Sequence, residues 1–146
     1  MDNQSYDDCI VKHLQMIECV IDRLAENCFK LKGWAVALVS IVSALAINGD
    51  NKGFIVLPII PLIAFWMLDA YYLKQERKYR ILYRHVIEKE EFLCNYSMDT
   101  HSIRPNSFEQ KKISTIACLF SRVEICFYGG IFMAIVFLLV IMKINS

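Results

Sequence analysis

The sequence has none of the short patterns that carry common chemistry. No GxSxG, HExxH, phosphate-binding loop or paired-carboxylate constellation is present, so nothing points to an enzyme. No glycine-rich loop accompanies the basic residues, which leaves a nucleotide pocket unsupported. No two of the six cysteines (Cys9, Cys19, Cys28, Cys94, Cys118, Cys126) stand at CxxC spacing. An excess of one charge sign is also missing. Lys and Arg number 16 against 15 Asp and Glu, so net charge points to no partner, and no nucleic acid is expected. The opening Met1-Asp2-Asn3-Gln4, followed by Asp7 and Asp8, lacks the basic start and early apolar run of a secretory signal. The start is expected to stay in the cytosol, with later segments acting as uncleaved membrane spans.

What is present is apolar surface. Of 146 residues, 56% are hydrophobic. A soluble chain of one domain would have to hide that surplus in a single small core. Three runs stand out: Gly33 to Ile47, Phe54 to Leu68, and Ile125 to Met142. A spanning helix needs about 20 mostly apolar residues. The third run nearly reaches that alone. The first two have favourable flanks, Phe29 and Leu31 before one, Tyr71 to Leu73 after the other. Between Gly33 and Leu68 the only charges are Asp50 and Lys52, in a linker whose Gly49 and Gly53 suit a tight turn. Pro58 falls near the first turn of the second run, and Pro61 is expected to kink it.

Basic residues set the orientation. Lys12, Arg23, Lys30 and Lys32 precede the first run, and ten Lys and Arg from Lys74 to Arg122 lie between the second and third. The pattern predicts a cytoplasmic N-terminus and middle segment, with the linker and C-terminus outside. Trp34 and Trp66 then sit at headgroup depth as interface anchors. In that topology the cysteines are read as reduced thiols.

Ile10, Leu14, Ile17, Ile21, Leu24, Cys28 and Leu31 recur at spacings of four and three, a heptad seam. One helix from Gln4 to Ile47 would be roughly 65 Å long. After Leu68 the chain runs to Tyr96 without Gly or Pro, with an apolar and aromatic face at Tyr72, Tyr79, Leu82, Tyr83, Val86 and Leu93. The seam can pack on that face as an antiparallel stalk of about 40 Å. It also offers an assembly surface for a homo-oligomer, helped by the small residues Ala35, Ala37, Ser40, Ser43 and Ala44. A loop is expected from Ser97, then an amphipathic helix opened by a capping box at Ser107–Gln110. Gly129-Gly130 marks a kink or a close helix contact.

The fold predicted is therefore all-α. It is an integral membrane helical hairpin with a long cytoplasmic helical stalk and a third C-terminal transmembrane helix. The parts are a cytoplasmic amphipathic helix (1–32), a two-span hairpin (33–73), a cytoplasmic helix, loop and amphipathic helix (74–120) and a third span (121–146).

Asp69 is the most informative residue, because an acid at the end of a span faces a partner or water. Lys30, Lys32 and Lys74 are its candidate partners, forming an interfacial ion pair or a gate. Arg77, Lys78, Arg80 and Arg84 are candidate contacts for headgroup phosphates, against the plainer reading of a solvated positive-inside face. Cys9 and His13 lie one helical turn apart, but nothing supplies further ligands, so neither metal nor cofactor is expected.

Two stretches, FKLKGWAVALVSIVSALA with FWMLDAYYLKQERKYRILYRHV, and FSRVEICFYGG, resemble a group of small bacterial membrane proteins. The hairpin layout is similar to the SLATT superfamily of two-span, defence-associated effectors. That resemblance implies a bacterial inner-membrane protein that oligomerises and breaches the membrane when a cytosolic sensor partner detects infection. The third span departs from the two-span pattern, and no sensor domain is recognisable. The alternative is a non-catalytic anchor or scaffold that holds a cytosolic partner.

Overall fold

The computed structural model describes residues 3–48, 56–88, 97–100 and 106–144. Among them the chain is helical, without strands: α1 (Asn3–Asn48), α2 (Ile59–Glu88), α3 (Ser107–Lys112), α4 (Thr115–Leu119) and α5 (Arg122–Ile144). Two of these, α1 and α5, carry stretches long and apolar enough to cross a membrane. The expected linker from Gly49 and the continuation of the stalk past Glu88 lie outside the described residues.

The seam and the first apolar run form one unbroken helix, α1, about 70 Å long at 1.5 Å per residue. Nothing interrupts it at Gly33, because a single glycine costs a helix only about 1 kcal/mol. Its polar half packs on α2. Ile17, Leu82 and Val86 form the buried centre, with Leu14, Ile21, Tyr79 and Tyr83 around them. The seam is thus covered by the chain's own α2. Ile10, Leu24 and Leu31 share that face, Leu31 buried and the others half-buried. This corrects the expectation that the seam is an assembly surface for a second copy: the same apolar stripe cannot serve both contacts.

The apolar half has three helices. Ala35 and Val39 of α1, Leu62 of α2, and Tyr128 and Ile135 of α5 form its buried core. Phe65, Trp66, Phe127, Ile131 and Leu139 pack against it. Large apolar side chains elsewhere on these helices, such as Leu45, Ile60 and Phe137, are exposed.

Several local expectations are corrected. α2 starts at Ile59, so Pro58 precedes the helix and Pro61 falls in its first turn. Amide protons there have no partner in the helix, so Pro61 removes nothing and no kink is needed. The capping box lies one residue earlier than expected: the Glu109 carboxylate accepts the Asn106 N–H at 3.1 Å. The segment it opens is two short helices, α3 and α4, separated at Ile113 and Ser114. Gly129 and Gly130 lie inside continuous α5, and a Cβ at either would meet nothing within 4 Å. They mark neither a break nor a close contact.

Cys9 is disulfide-bonded, against the expectation of reduced thiols throughout. The antiparallel return of the chain brings the start of α1 beside the segment after α2, as the 3.1 Å contact between His13 Nε2 and the Ser97 carbonyl shows. Spacing rules read along the sequence do not see such a meeting. The other end of the bond lies outside the described residues. Cys19, Cys28, Cys118 and Cys126 are free.

Candidate functional site: a buried ion node joining three helices

Each long helix carries one charged residue on its otherwise apolar inner stripe. On α1, Lys32 follows Leu31 and precedes Ala35 and Val39. On α2, Asp69 continues the face of Leu62 and Trp66. On α5, Glu124 lies one turn before Tyr128. Helical periodicity puts each on the face its neighbours bury. The three meet where the apolar half joins the polar half.

Lys32 Nζ bridges both acids. It donates to Asp69 Oδ2 and, at 2.9 Å, to Glu124 Oε1. Asp69 Oδ2 also accepts the Tyr128 hydroxyl at 3.1 Å. Asp69 is 0% exposed and Glu124 2%, while the Lys32 side chain keeps 17%. The Cys28 thiol sits beside Asp69, and the Phe127 ring lies 5.8 Å from the Lys32 ammonium. Two carboxylates thus share one ammonium. Asp69 Oδ1 and Glu124 Oε2 have no hydrogen-bond partner among the described residues. A buried ion costs several kcal/mol unless its geometry and hydrogen bonds are complete, so this node is costly and only partly compensated.

Around it, Trp66 fastens α2 to the approach of α5. Its indole N–H donates to the Leu119 carbonyl at 3.1 Å. Its ring stacks on Tyr128 at 6.1 Å and meets Phe120 edge-on at 6.2 Å. Trp34, the other expected anchor, is exposed.

Of the three candidate partners of Asp69, only Lys32 reaches it. Lys30 pairs with Glu26 at 2.8 Å, and Lys74 donates to Thr115 Oγ1 at 2.9 Å. Sequence pattern alone does not single out Glu124 or Tyr128. An acid in the first turn of a helix reads as ordinary dipole compensation. The available signal was an acid opening the most apolar run of the chain.

Within the chain, three residues of the basic run have partners, and Arg80 and Arg84 stay well exposed on the helix face. Arg77 donates to the Lys112 carbonyl at 2.7 Å and to Ser121 Oγ at 3.3 Å, clamping α4. Arg80 pairs with Glu76 at 2.7 Å, and Arg84 with Glu109 at 3.0 Å. Lys78 is half-buried on the same helix. Burial under this clamp pushes the Cys118 thiol up from its ordinary range. Among the described residues, no three His, Cys, Asp or Glu are grouped to hold a metal.

No protein-family model, curated protein or solved structure matches this chain.

Proposed function

We propose that this chain is a bacterial inner-membrane effector whose closed state is latched by the Lys32 node. In this reading α1, α2 and α5 each span the bilayer. The N-terminus and stalk are cytoplasmic and the C-terminus is outside. Release of the latch by a partner, a cytosolic sensor in a defence system, lets the spans separate or assemble with other copies and breach the membrane.

The node is the observation that carries the reading. Apolar side chains would join three helices at lower cost than charges. Ionisable residues at membrane depth are the default candidates for function. A contact with two acids on one cation is also poised to change. A binding event that displaces Lys32 leaves two buried acids without their shared cation, and the contact that joins the three helices is lost. Exposed small residues on α1, Ala37, Ser40 and Ala44, allow copies to approach closely once that happens.

The test bypasses the unknown trigger. Lys32→Met is expressed in bacteria beside wild type, with membrane potential and dye entry measured. The variant should depolarise cells that wild type leaves intact. Intact potential, with the variant found in the membrane at wild-type level, would reject the latch.

A second reading, a membrane anchor that holds a cytosolic protein, is favoured by one feature. The stalk carries a cavity of about 530 Å³ lined by Glu18, Ile21, Asp22, Arg80, Tyr83, Arg84 and Ile87. Its mix of charge and apolar surface suits a protein partner. Glu18→Lys with Asp22→Lys should release such a partner without disturbing the buried Ile17 seam. Retained capture would remove this reading.

A further inference from the structure

A second cavity, of about 350 Å³, lies between α2 and α5 beyond the node. Its walls include Ile63 and Trp66 on one side and Ile125, Gly129 and Phe132 on the other, with Phe120 at one end. That volume is at the lower end of the range for ligand pockets. The exposed lining is wholly apolar. Its two polar handles are already engaged elsewhere: the Trp66 indole N–H at the Leu119 carbonyl and the Tyr128 hydroxyl at Asp69. A polar ligand would find no hydrogen-bond partner there. Gly129 leaves the groove floor open, since a Cβ on it meets nothing within 4 Å.

The α5 wall has a charged foot. Arg122, Ile125, Gly129 and Phe132 follow one another at helical spacings of three and four, so they share a face. Side chains on a helix lean toward its N-terminus. The exposed guanidinium of Arg122 is therefore carried past the apolar groove toward the polar half of the molecule. An apolar slot ending in a cation is complementary to a fatty chain ending in a phosphate.

We propose that the α2/α5 groove holds one acyl chain of an anionic phospholipid, with the lipid phosphate against Arg122. The site rests on the membrane-spanning part of the proposed function and not on the permeabilising part. It couples lipid to latch by position: the groove wall includes Tyr128, which bonds Asp69.

The test begins with alkaline extraction of membranes from expressing cells. A chain released to the supernatant would overturn the membrane reading, and the lipid site with it. A chain that stays in the pellet is purified whole in mild detergent. Native mass spectrometry then follows dioleoyl-phosphatidylglycerol against dioleoyl-phosphatidylcholine at equal concentration. Wild type should retain one phosphatidylglycerol in preference to phosphatidylcholine. Arg122→Gln should weaken that retention about fivefold, the loss of one surface cation, and abolish the preference. Gly129→Leu, which fills the slot, should lower retention of both lipids. Gly130→Leu, outside the groove lining and equally free of clashes, should behave as wild type, with helix content by circular dichroism matched across all four proteins. Equal retention of both lipids by wild type, or wild-type retention in both Arg122→Gln and Gly129→Leu, overturns the lipid site alone. A lipid-free dimer abolished by Gly129→Leu would assign the groove to a second copy and overturn it equally.

Discussion

The polar stalk and the node at its upper end join the same two helices by opposite means. In the stalk, apolar residues at heptad spacing meet an apolar face, and Ile17 is fully covered by Leu82 and Val86. The Glu26–Lys30 pair of α1 stays at the surface. At the node the charges are inside and the third helix is fastened by them. An apolar seam is built to persist, since its strength depends on shape and area alone. A charged junction depends on a balance: with one ammonium between two carboxylates, displacing the cation leaves only like charges. In the proposed reading the stalk persists and the node switches.

The largest effect should come from breaking that balance. Lys32→Met leaves two buried acids without their cation and should destabilise the bundle by about 3–5 kcal/mol, read by unfolding in detergent micelles. A much smaller loss would mean that water compensates the node as well as Lys32 does. In the stalk, Ile17→Ala should cost about 2–5 kcal/mol through the cavity it leaves, yet leave membrane potential untouched. Leakage from this variant would erase the distinction between the two regions. Tyr128→Phe removes one hydrogen bond to a charged acceptor and should cost about 1.5–3 kcal/mol, with potential intact while Lys32 stays bridged. Glu26→Gln should be silent in the same unfolding assay, because both partners of its pair are exposed.

Thiol labelling sharpens the comparison at the smallest scale. Cys118 is buried and its thiol is pushed above the ordinary range by that burial, so at neutral pH it should react with maleimide far more slowly than exposed Cys19. Labelling of Cys9 in intact cells tests orientation directly. A cytosolic stalk keeps its disulfide reducible by the glutathione pool, so Cys9 should label without added reductant. A strict requirement for reductant would place the stalk in an oxidising compartment and invert the proposed topology.

Much of this arrangement is written in local pattern. α1 could be drawn almost to its ends, because the heptad seam and the apolar run are both helical and no breaker separates them. The Asp69–Lys32 pair was legible too, since an acid at the end of an apolar run demands a cation and few are near. What sequence could not supply was the choice among Lys30, Lys32 and Lys74, which depends on helix rotation to within one residue. Glu124 was hidden by its ordinary place in a first turn. Pro61 is ambiguous in sequence for a related reason: its effect depends on where α2 starts, and apolar runs do not mark helix starts sharply. The commitment of Arg77 to the Lys112 carbonyl required knowing that α4 folds back onto α2.

The most direct test neutralises the whole node instead of unbalancing it. Lys32→Met is compared with the triple variant Lys32→Met, Asp69→Asn, Glu124→Gln for membrane potential in expressing cells. The latch account predicts depolarisation by the single variant and restored potential in the triple one, because neutral groups of the same shape no longer repel. Equal leakage from both, or from neither with both inserted, would contradict it.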